Sequence, residues 1–317
     1  MRITRAIAAL LLALLAGPAP AQSPQRMTLL LDWFVNPDHG PLLVAQELGY
    51  FREAGLAVEM VAPADPNDPP KLVAAGRGDL AISYQPALTL HAERGLPLAR
   101  IATLVATPLN TLVVLRGGPV RTLADLKGRR IGFSVGGFED ALLGAMLRQA
   151  GLGLGDVQLV NVNFSLSPAL LAGRVDAVIG AFRNFELNQL DIEGRPGLAF
   201  HPEEHGVPPY DELVVVANRA RLSDPALRRF VGAVERGTLY MVNHPEDAFR
   251  LFVRGRPDLD NELNRRAWRD TLPRFAHAPA ALDRGRYSRF AAFLRQQGLV
   301  RQEPRLEDYA VELDWTR

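Results

Sequence analysis

The sequence of 317 residues contains no cysteine. This absence excludes disulfide bonds, thiolate metal sites, a cysteine nucleophile and a lipid-modified cysteine behind a leader. The 36 lysine and arginine residues nearly balance the 35 aspartate and glutamate residues. Such a balance provides no strong basic field that would attract nucleic acid or an anionic membrane. We therefore expect no nucleic-acid partner.

Recognisable catalytic motifs are also missing. No P-loop, dinucleotide fingerprint or serine-hydrolase elbow occurs in the chain. The six histidines show no metal-ligand spacing apart from His201 and His205, which lie among prolines and glycines rather than on a helix. We therefore expect no metal, no cofactor and no catalytic residue.

The first 21 residues have the pattern of a cleaved secretory signal peptide. Arg2 and Arg5 precede an apolar run over 7–16, which is too short to span a bilayer. The small residues at 19–21 then provide a signal-peptidase site. The sequence predicts a signal peptide over residues 1–21 and a mature chain in the periplasm, with an uncleaved anchor as the alternative.

An internal repeat divides the rest of the chain into two similar halves. Aligned on Gly76 and Gly173, both copies show an apolar helix, then glycine, arginine, any residue, aspartate and a short apolar strand. Glycine ends a helix in a left-handed conformation, and short apolar runs are typical of buried parallel strands. The copies are KLVAAGRGDLAISYQP, which begins at Lys71, and PALLAGRVDAVIGAF, which begins at Pro168.

Each copy extends upstream in the order strand, helix, strand, helix, strand, which predicts a parallel sheet covered by helices. We expect an α/β fold of two lobes, each with a central sheet flanked by helices, joined by two hinge strands that allow closure. Lobe 1 is predicted over 22–113 and 218–317 and lobe 2 over 114–217, with one fused sheet as the alternative. The expected upstream strands are 29–33, 56–62, 130–135 and 157–162, and the expected helices are 41–54 and 139–150.

Aromatic and short polar side chains follow the predicted strands, where open α/β sheets bind ligands. Trp33, Tyr84, Phe164 and Phe182 are rings that could enclose a flat ligand. Glu186 could accept a hydrogen bond from an amino group of that ligand. Its alternative role is electrostatic, since an acid at a helix start favours the helix dipole.

Four further residues belong to this predicted ligand site or its border. Asn36 and Asn184 could read the donors and acceptors of a ligand. Gly136 precedes a helix and could offer a backbone N–H group to an oxygen or a phosphate. His39 is also a candidate, with a hydrogen bond to the first helix as its alternative role.

Four segments closely resemble the thiamine-pyrimidine-precursor substrate-binding proteins of the NMT1/THI5-like family. They are LDWFVNPDHGPLLVAQELGYF, PADPNDPPKLVAAGRGDLAISYQP, NVNFSLSPALLAGRVDAVIGAFRNFE and HGVPPYDELVVVA, the last of which contains Tyr210. The resemblance implies a type II periplasmic binding protein that binds formylaminopyrimidine or hydroxymethylpyrimidine, with Tyr210 near the ligand. It also implies an ABC permease and ATPase as partners and a monomeric binding protein.

A eukaryotic branch of this family makes the thiamine pyrimidine from pyridoxal phosphate and a histidine, with iron. That branch carries lysine where this chain has Tyr84 and histidine where it has Leu88, and its cysteine-rich iron motif falls near 207–212, here VPPYDE. A Schiff base needs an amine, so the resemblance implies binding rather than synthesis. A different flat heterocycle, a sulfonate, and the sensor domain of a receptor remain alternatives.

One departure from the transporter branch concerns the ligand itself. A Tyr-Trp-Asn-x-Glu run of that branch corresponds to Phe-Arg-Asn-Phe-Glu at 182–186 in this chain. Asn184 and Glu186 carry over, whereas Arg183 is new. An Arg183 that faced the cleft would favour an acidic or phosphorylated ligand, whereas one that faced solvent would carry no such meaning.

Overall fold

A computed structural model describes residues 23–313, so the predicted signal peptide lies outside the described residues. The strands are β1 Gln25–Leu30, β2 Leu56–Val61, β3 Leu80–Ser83, β4 Leu98–Val105, β5 Asn110–Leu115, β6 Arg130–Phe133, β7 Gln158–Asn161, β8 Ala177–Phe182, β9 Gly197–Phe200 and β10 Leu213–Asn218. The helices are α1 Gly40–Glu47, α2 Tyr50–Glu53, α3 Pro69–Ala74, α4 Gln85–Glu93, α5 Phe138–Gln149, α6 Leu166–Leu171, α7 Glu186–Ile192, α8 Pro225–Asn243, α9 Pro245–Val253, α10 Glu262–Thr271, α11 Arg284–Gln296 and α12 Leu306–Tyr309.

The ten strands form two separate five-stranded sheets. The first has the order β2-β1-β3-β10-β4 and the second the order β7-β6-β8-β5-β9. In each sheet the first three strands in this order are parallel to one another. The fourth strand, β10 in the first sheet and β5 in the second, lies antiparallel beside the third. Two sheets with flanking helices confirm the two-lobed α/β fold and exclude the fused sheet.

The chain passes between the two sheets twice. The first passage lies between Val105 and Asn110, and the second between Phe200 and Leu213. Strand β5 therefore belongs entirely to the second sheet and β10 to the first, whereas the predicted divisions after residues 113 and 217 cut both strands. An apolar run such as β10 is equally suited to either sheet, so its composition could not indicate which one it joins.

The repeated aspartate has the same structural role in both lobes. Gly76 and Gly173 adopt positive φ angles of 74° and 65°, which confirms the predicted helix ends. The carboxylate of Asp79 then accepts a hydrogen bond from the backbone N–H of Thr28 at 2.7 Å, and that of Asp176 accepts one from Arg130 at 2.9 Å. Each aspartate thus ties the beginning of the third strand to the first strand beside it.

Two expected elements end differently, and one of the differences shapes the ligand cleft. The expected helix over 41–54 is divided into α1 and α2, because Gly49 between them has a left-handed φ of 77°. The expected strand over 29–33 ends at Leu30, so Asp32 and Trp33 lie in the turn beyond it. That turn carries both side chains beyond the carboxyl end of β1.

The C-terminal third packs on the first lobe, to which residues 218–317 were assigned from the sequence. Helix α8 lies against α1, with Gly237 at the closest approach. The guanidinium of Arg100 in β4 is fully buried and donates to the carbonyl oxygens of Pro279 and Ala280, which fastens the C-terminal segment to the sheet. Within residues 23–313, no helix combines the length and apolar character needed to cross a membrane.

We expect the substitution Gly237→Ala to destabilise the first lobe. A Cβ atom at this position would lie 2.5 Å from the backbone oxygen of Pro41, so the two helices would have to move apart. Overpacking of this kind costs about 1–3 kcal/mol of unfolding free energy, which denaturant titration would measure. The matched substitution Gly155→Ala meets no atom within 4 Å and should leave the midpoint unchanged; equal midpoints for both variants would contradict the close contact.

Candidate functional site

A narrow cleft lies between the lobes, beyond the carboxyl ends of the strands. Only about 20 Å³ of it is open to the centre of a water molecule, so the lobes nearly close upon each other and must part before a small molecule can enter. Its walls combine aromatic rings with four carboxyl groups. The lining residues are Asp32, Trp33, Asn36, Asp38, Tyr84, Val135, Glu139, Leu166, Gly180, Phe182, Phe185 and Glu186.

Asp32 is the centre of a hydrogen-bonded group in the first lobe. One of its carboxylate oxygens lies 2.9 Å from Nε2 of His39, and the other accepts from the hydroxyl of Tyr84 at 2.8 Å. The Tyr84 ring stacks on Phe138 of the second lobe with centroids 4.8 Å apart. Burial raises the pKa of Tyr84 well above its usual value, and the neighbouring Asp32 adds to this effect, so the phenol keeps its proton.

Glu186 both begins a helix and lines the cleft. It is the first residue of α7, and its side chain turns back to accept from the backbone N–H of Phe182 at 2.6 Å. The residue is 8% exposed. Burial raises the pKa of its carboxyl group to about 7, with the nearby Asp38 as a smaller contribution in the same direction. The helix-start role and the cleft position therefore apply to one side chain together.

Asp38 lines the cleft and also connects the two lobes through a hydrogen bond. One carboxylate oxygen accepts from the side chains of Asn184 at 2.6 Å and of Thr271 at 3.0 Å. Because Asn184 belongs to the second lobe, this contact holds the lobes together. Burial raises the pKa of Asp38 to about 6, and His39 and the two hydrogen-bond donors partly oppose this rise.

Glu139 brings a carboxyl group to the cleft from the second lobe. It lies in the first turn of α5, is 3% exposed, and accepts from the backbone N–H of Ser134 at 2.8 Å. Burial raises its pKa well above the usual value. Gly180 makes room for it, since a Cβ atom there would lie 2.4 Å from a Glu139 oxygen.

Five of the ten residues predicted for the site line this cleft. Trp33 and Phe182 are half-buried rings on its walls, and Tyr84 and Glu186 are buried. The side chain of Asn36 also faces its own turn, where it accepts from the backbone of Asp38 and donates to the carbonyl of Phe34. These five come from both lobes, as expected for a site that closes.

The other five predicted residues lie away from the lining. His39 is fully buried behind Asp32, and Asn184 lies beneath the cleft on Asp38. Phe164 packs on Trp33 with ring centroids 4.6 Å apart. The two remaining residues, Gly136 and Tyr210, are also absent from the lining.

Gly136 donates its N–H to the side chain of Asn67 across the lobes, next to a separate space. Tyr210 packs edge-on against Phe290 inside the first lobe, with no exposed surface. Gly136 was predicted because it precedes a helix, and Tyr210 was implied by the resemblance; the fold uses the first at the lobe contact and the second in the core.

Arg183 does not line the cleft. Its guanidinium forms an ion pair with Glu203, with a shortest distance of 2.6 Å, and also donates to the carbonyls of Leu109 and Asn110. Those carbonyls belong to the first passage between the lobes. The structure therefore places Arg183 at the hinge, and its charge gives no reason to expect an acidic ligand.

Three lining carboxyl groups, Asp32, Asp38 and Glu139, were not among the predicted site residues. Asp32 lies in the turn after β1, whereas Asp38 and Glu139 each lie in the first turn of a helical segment, which is a common and unremarkable position for an acid. A signal was nevertheless present, since each lies at the end of a predicted strand or within a segment that follows one. Only the meeting of the two lobes distinguishes Asp38 and Glu139 from exposed helix-start acids.

Glu212 joins the two passages between the lobes. It is fully buried, and one of its carboxylate oxygens accepts from the backbone N–H groups of Leu109 at 2.6 Å and Asn110 at 2.9 Å. Its own N–H donates to the carbonyl of Val105 at 3.0 Å. Burial raises the pKa of Glu212 to about 7.

The sheet order and the interlobe cleft define the fold of a type II periplasmic binding protein, and solved structures agree. The alkanesulfonate-binding protein SsuA of Xanthomonas axonopodis, bound to MOPS, aligns with a TM-score of 0.70 at 15% identity over 92% of this chain and 99% of its own. The periplasmic aliphatic sulphonate-binding protein SsuA of Escherichia coli aligns with a TM-score of 0.69 at 15% identity, over 93% and 94%. At such identities these likenesses establish the fold alone.

The chain belongs to the family described as NMT1/THI5 like, whose model matches residues 36–248. A Haemophilus influenzae protein provisionally named for thiamine biosynthesis is 50% identical over 93% of this chain and 94% of its own. The formylaminopyrimidine-binding protein of Halalkalibacterium halodurans is 37% identical over 72% and 70%. A 4-amino-5-hydroxymethyl-2-methylpyrimidine phosphate synthase of Legionella pneumophila is 28% identical over 83% and 86%.

We expect the ligand-free protein to lose stability as pH rises from about 4.5 to 7.5. Burial raises the pKa of Glu186 from 4.5 to about 7 and that of Asp38 from 3.8 to about 6, so the folded chain binds more protons than the unfolded chain in this range. The free energy of unfolding therefore falls until the folded-state pKa is passed, and Glu212 contributes in the same direction.

Thermal melts of the wild type and of Glu186→Gln across this pH range test that expectation. The variant cannot ionise at this position, so its melting temperature should fall less steeply with pH. The control Glu193→Gln alters an exposed glutamate just beyond the same helix and should retain the wild-type slope. Identical slopes for all three proteins would contradict the burial of an ionisable Glu186.

Proposed function

We propose that this chain is the substrate-binding protein of an ABC importer and that it binds an aminopyrimidine thiamine precursor, formylaminopyrimidine or hydroxymethylpyrimidine, for thiamine salvage. The observation that carries this proposal is the buried Glu186 carboxyl group in a narrow cleft walled by Trp33, Tyr84 and Phe182. Once the lobes part, a flat heterocycle can stack on these rings, and its amino group can donate to a carboxyl oxygen. The formylaminopyrimidine-binding relative supports this choice.

The proposed mechanism is closure of the lobes over the ligand. In the closed arrangement Asn184 reaches Asp38, and Asn67 donates to the carbonyl of Ser134 at 3.1 Å. A ligand that contacts walls from both lobes favours the closed state, because its affinity for that state is greater than for the open one. Release then requires these polar contacts to separate about the hinge at Glu212, together with the ring contacts of Tyr84 with Phe138 and of Trp33 with Phe164.

A sulfonate is a less suitable ligand, although the two SsuA proteins share the fold. The cleft lining contains four carboxyl groups, while no arginine, lysine or histidine is among the described lining residues. An anion would lose its hydration in this space without gaining a cationic partner among the described lining residues, which is unfavourable. Another flat heterocycle with amino donors remains compatible with this lining.

We also propose that the chain is not an enzyme, even though several relatives are named as pyrimidine synthases. Synthesis with pyridoxal phosphate needs an amine, and Tyr84 occupies the corresponding position with its hydroxyl on Asp32. Leu88, which replaces the histidine of the eukaryotic branch, is buried in the apolar core of the first lobe. These residues do not fit pyridoxal phosphate as a Schiff base.

The location and partners follow from the proposed transport role. Residues 1–21 would direct export, and the mature chain would act as a monomer in the periplasm. An ABC permease and its ATPase would receive the ligand. A permease gene and an ATPase gene beside this gene would support the assignment.

We expect hydroxymethylpyrimidine or formylaminopyrimidine to raise the melting temperature of the mature protein by about 5 °C at a ligand concentration near 100 times Kd. Glu186→Gln should weaken binding about tenfold or more, since the amide replaces one acceptor oxygen with an NH₂ group that cannot accept from the ligand's amino group. The control Glu193→Gln should bind like the wild type. Absence of any shift with either pyrimidine would refute the ligand assignment.

Incubation with pyridoxal phosphate and iron should yield neither an imine absorbance band nor a pyrimidine product. An imine forms on a primary amine, and the described cleft residues have a tyrosine at position 84 and no lysine. The Legionella pneumophila relative, measured in parallel, provides the positive control. Imine formation or product from this chain would establish the enzymatic alternative.

A further inference from the structure

The carboxyl group of Asp38 is incompletely satisfied. One of its oxygens accepts from Asn184 and Thr271, whereas the other is buried without a hydrogen-bond partner among the described residues. The residue is 1% exposed and lines the cleft. A buried oxygen without a donor is costly, so this position favours a ligand that supplies an N–H group.

Glu139 offers a second acceptor from the other lobe. Its carboxyl group lies at the cleft, held by the backbone N–H of Ser134 and accommodated only because Gly180 has no side chain. No basic side chain is among the described residues that line the cleft. Asp38 and Glu139 thus present acceptor oxygens to the same space from two lobes.

We propose that Asp38 and Glu139 are ligand-binding residues and that they make the cleft selective for a heterocycle with two hydrogen-bond donor groups and without an anionic substituent. This inference rests on the proposed function and adds its specificity determinants. It distinguishes an unphosphorylated aminopyrimidine from its phosphate ester, because a phosphate would lose its hydration without meeting a cationic side chain among the described lining residues. It also distinguishes the 4-amino compound from a 4-oxo analogue, which presents an acceptor at the same edge.

Isothermal titration of the mature protein tests both statements. The three probes are 4-amino-5-hydroxymethyl-2-methylpyrimidine, its phosphate ester, and the 4-oxo analogue of the first. We expect the wild type to bind the amino compound at least about tenfold more tightly than either of the others. Asp38→Asn and Glu139→Gln should each weaken binding of the amino compound about tenfold or more, and Glu193→Gln should leave it unchanged.

A change in selectivity provides the sharpest readout. In Asp38→Asn the amide oxygen can keep the bonds from Asn184 and Thr271, so the NH₂ group faces the cleft and meets an acceptor on the 4-oxo analogue. The amino-to-oxo affinity ratio should therefore fall by more than tenfold. Loss of folding would not produce such a reversal within one preparation, and thermal melts verify the fold of each variant.

The outcomes separate the two proposals. A wild type that binds the amino compound, with either variant within twofold of it, overturns the assignment of that residue and leaves the proposed function intact. Equal affinity for the phosphate ester overturns the exclusion of anions, and this measurement decides the matter if Glu139→Gln fails to fold. A wild type that binds no pyrimidine overturns the proposed function and this inference together.

Discussion

The two passages of the chain between the lobes are held by one buried carboxylate, that of Glu212. It binds the backbone of Leu109 and Asn110 in one passage while it belongs to the other, so the two segments move as a pair. The position of the cleft depends on this joint, because the strand ends of the two sheets face each other only when both passages are fixed. Arg183 reinforces the same segment by donating to the carbonyls of these residues.

The cleft contains several buried acidic side chains, a type of residue that most proteins leave exposed to water. Burial of a carboxyl group is unfavourable unless hydrogen-bond donors surround it. His39 and Tyr84 contact both oxygens of Asp32, Ser134 supports Glu139, the Phe182 backbone supports Glu186, and Asn184 supports Asp38. Of these four acids, Asp38 alone keeps a buried oxygen without a hydrogen-bond partner among the described residues, and this oxygen is the one that the proposed ligand would satisfy.

The repeat predicted most of the architecture, because glycine helix ends and apolar strands are local features of the sequence. The rule that ligands lie beyond strand ends located Trp33, Tyr84, Phe182 and Glu186 at the cleft. Long-range pairing was beyond such reasoning. The sheet that β10 joins, the ion pair of Arg183 with Glu203 and the meeting of Asp38 with Asn184 depend on contacts that no local pattern encodes. Asp38 and Glu139 were missed for the same reason.

The insertion of β10 between β3 and β4 has a consequence for the order in which the lobes are assembled. Strand β4 is connected to the rest of its sheet only through β10, whose last residue is Asn218, so the first lobe stays incomplete until that point of the chain is available. The second sheet uses strands from Asn110 to Phe200 alone. During synthesis or translocation from the N-terminus, the second lobe can therefore complete its sheet first. The earlier strands of the first lobe remain incompletely paired until β10 is available.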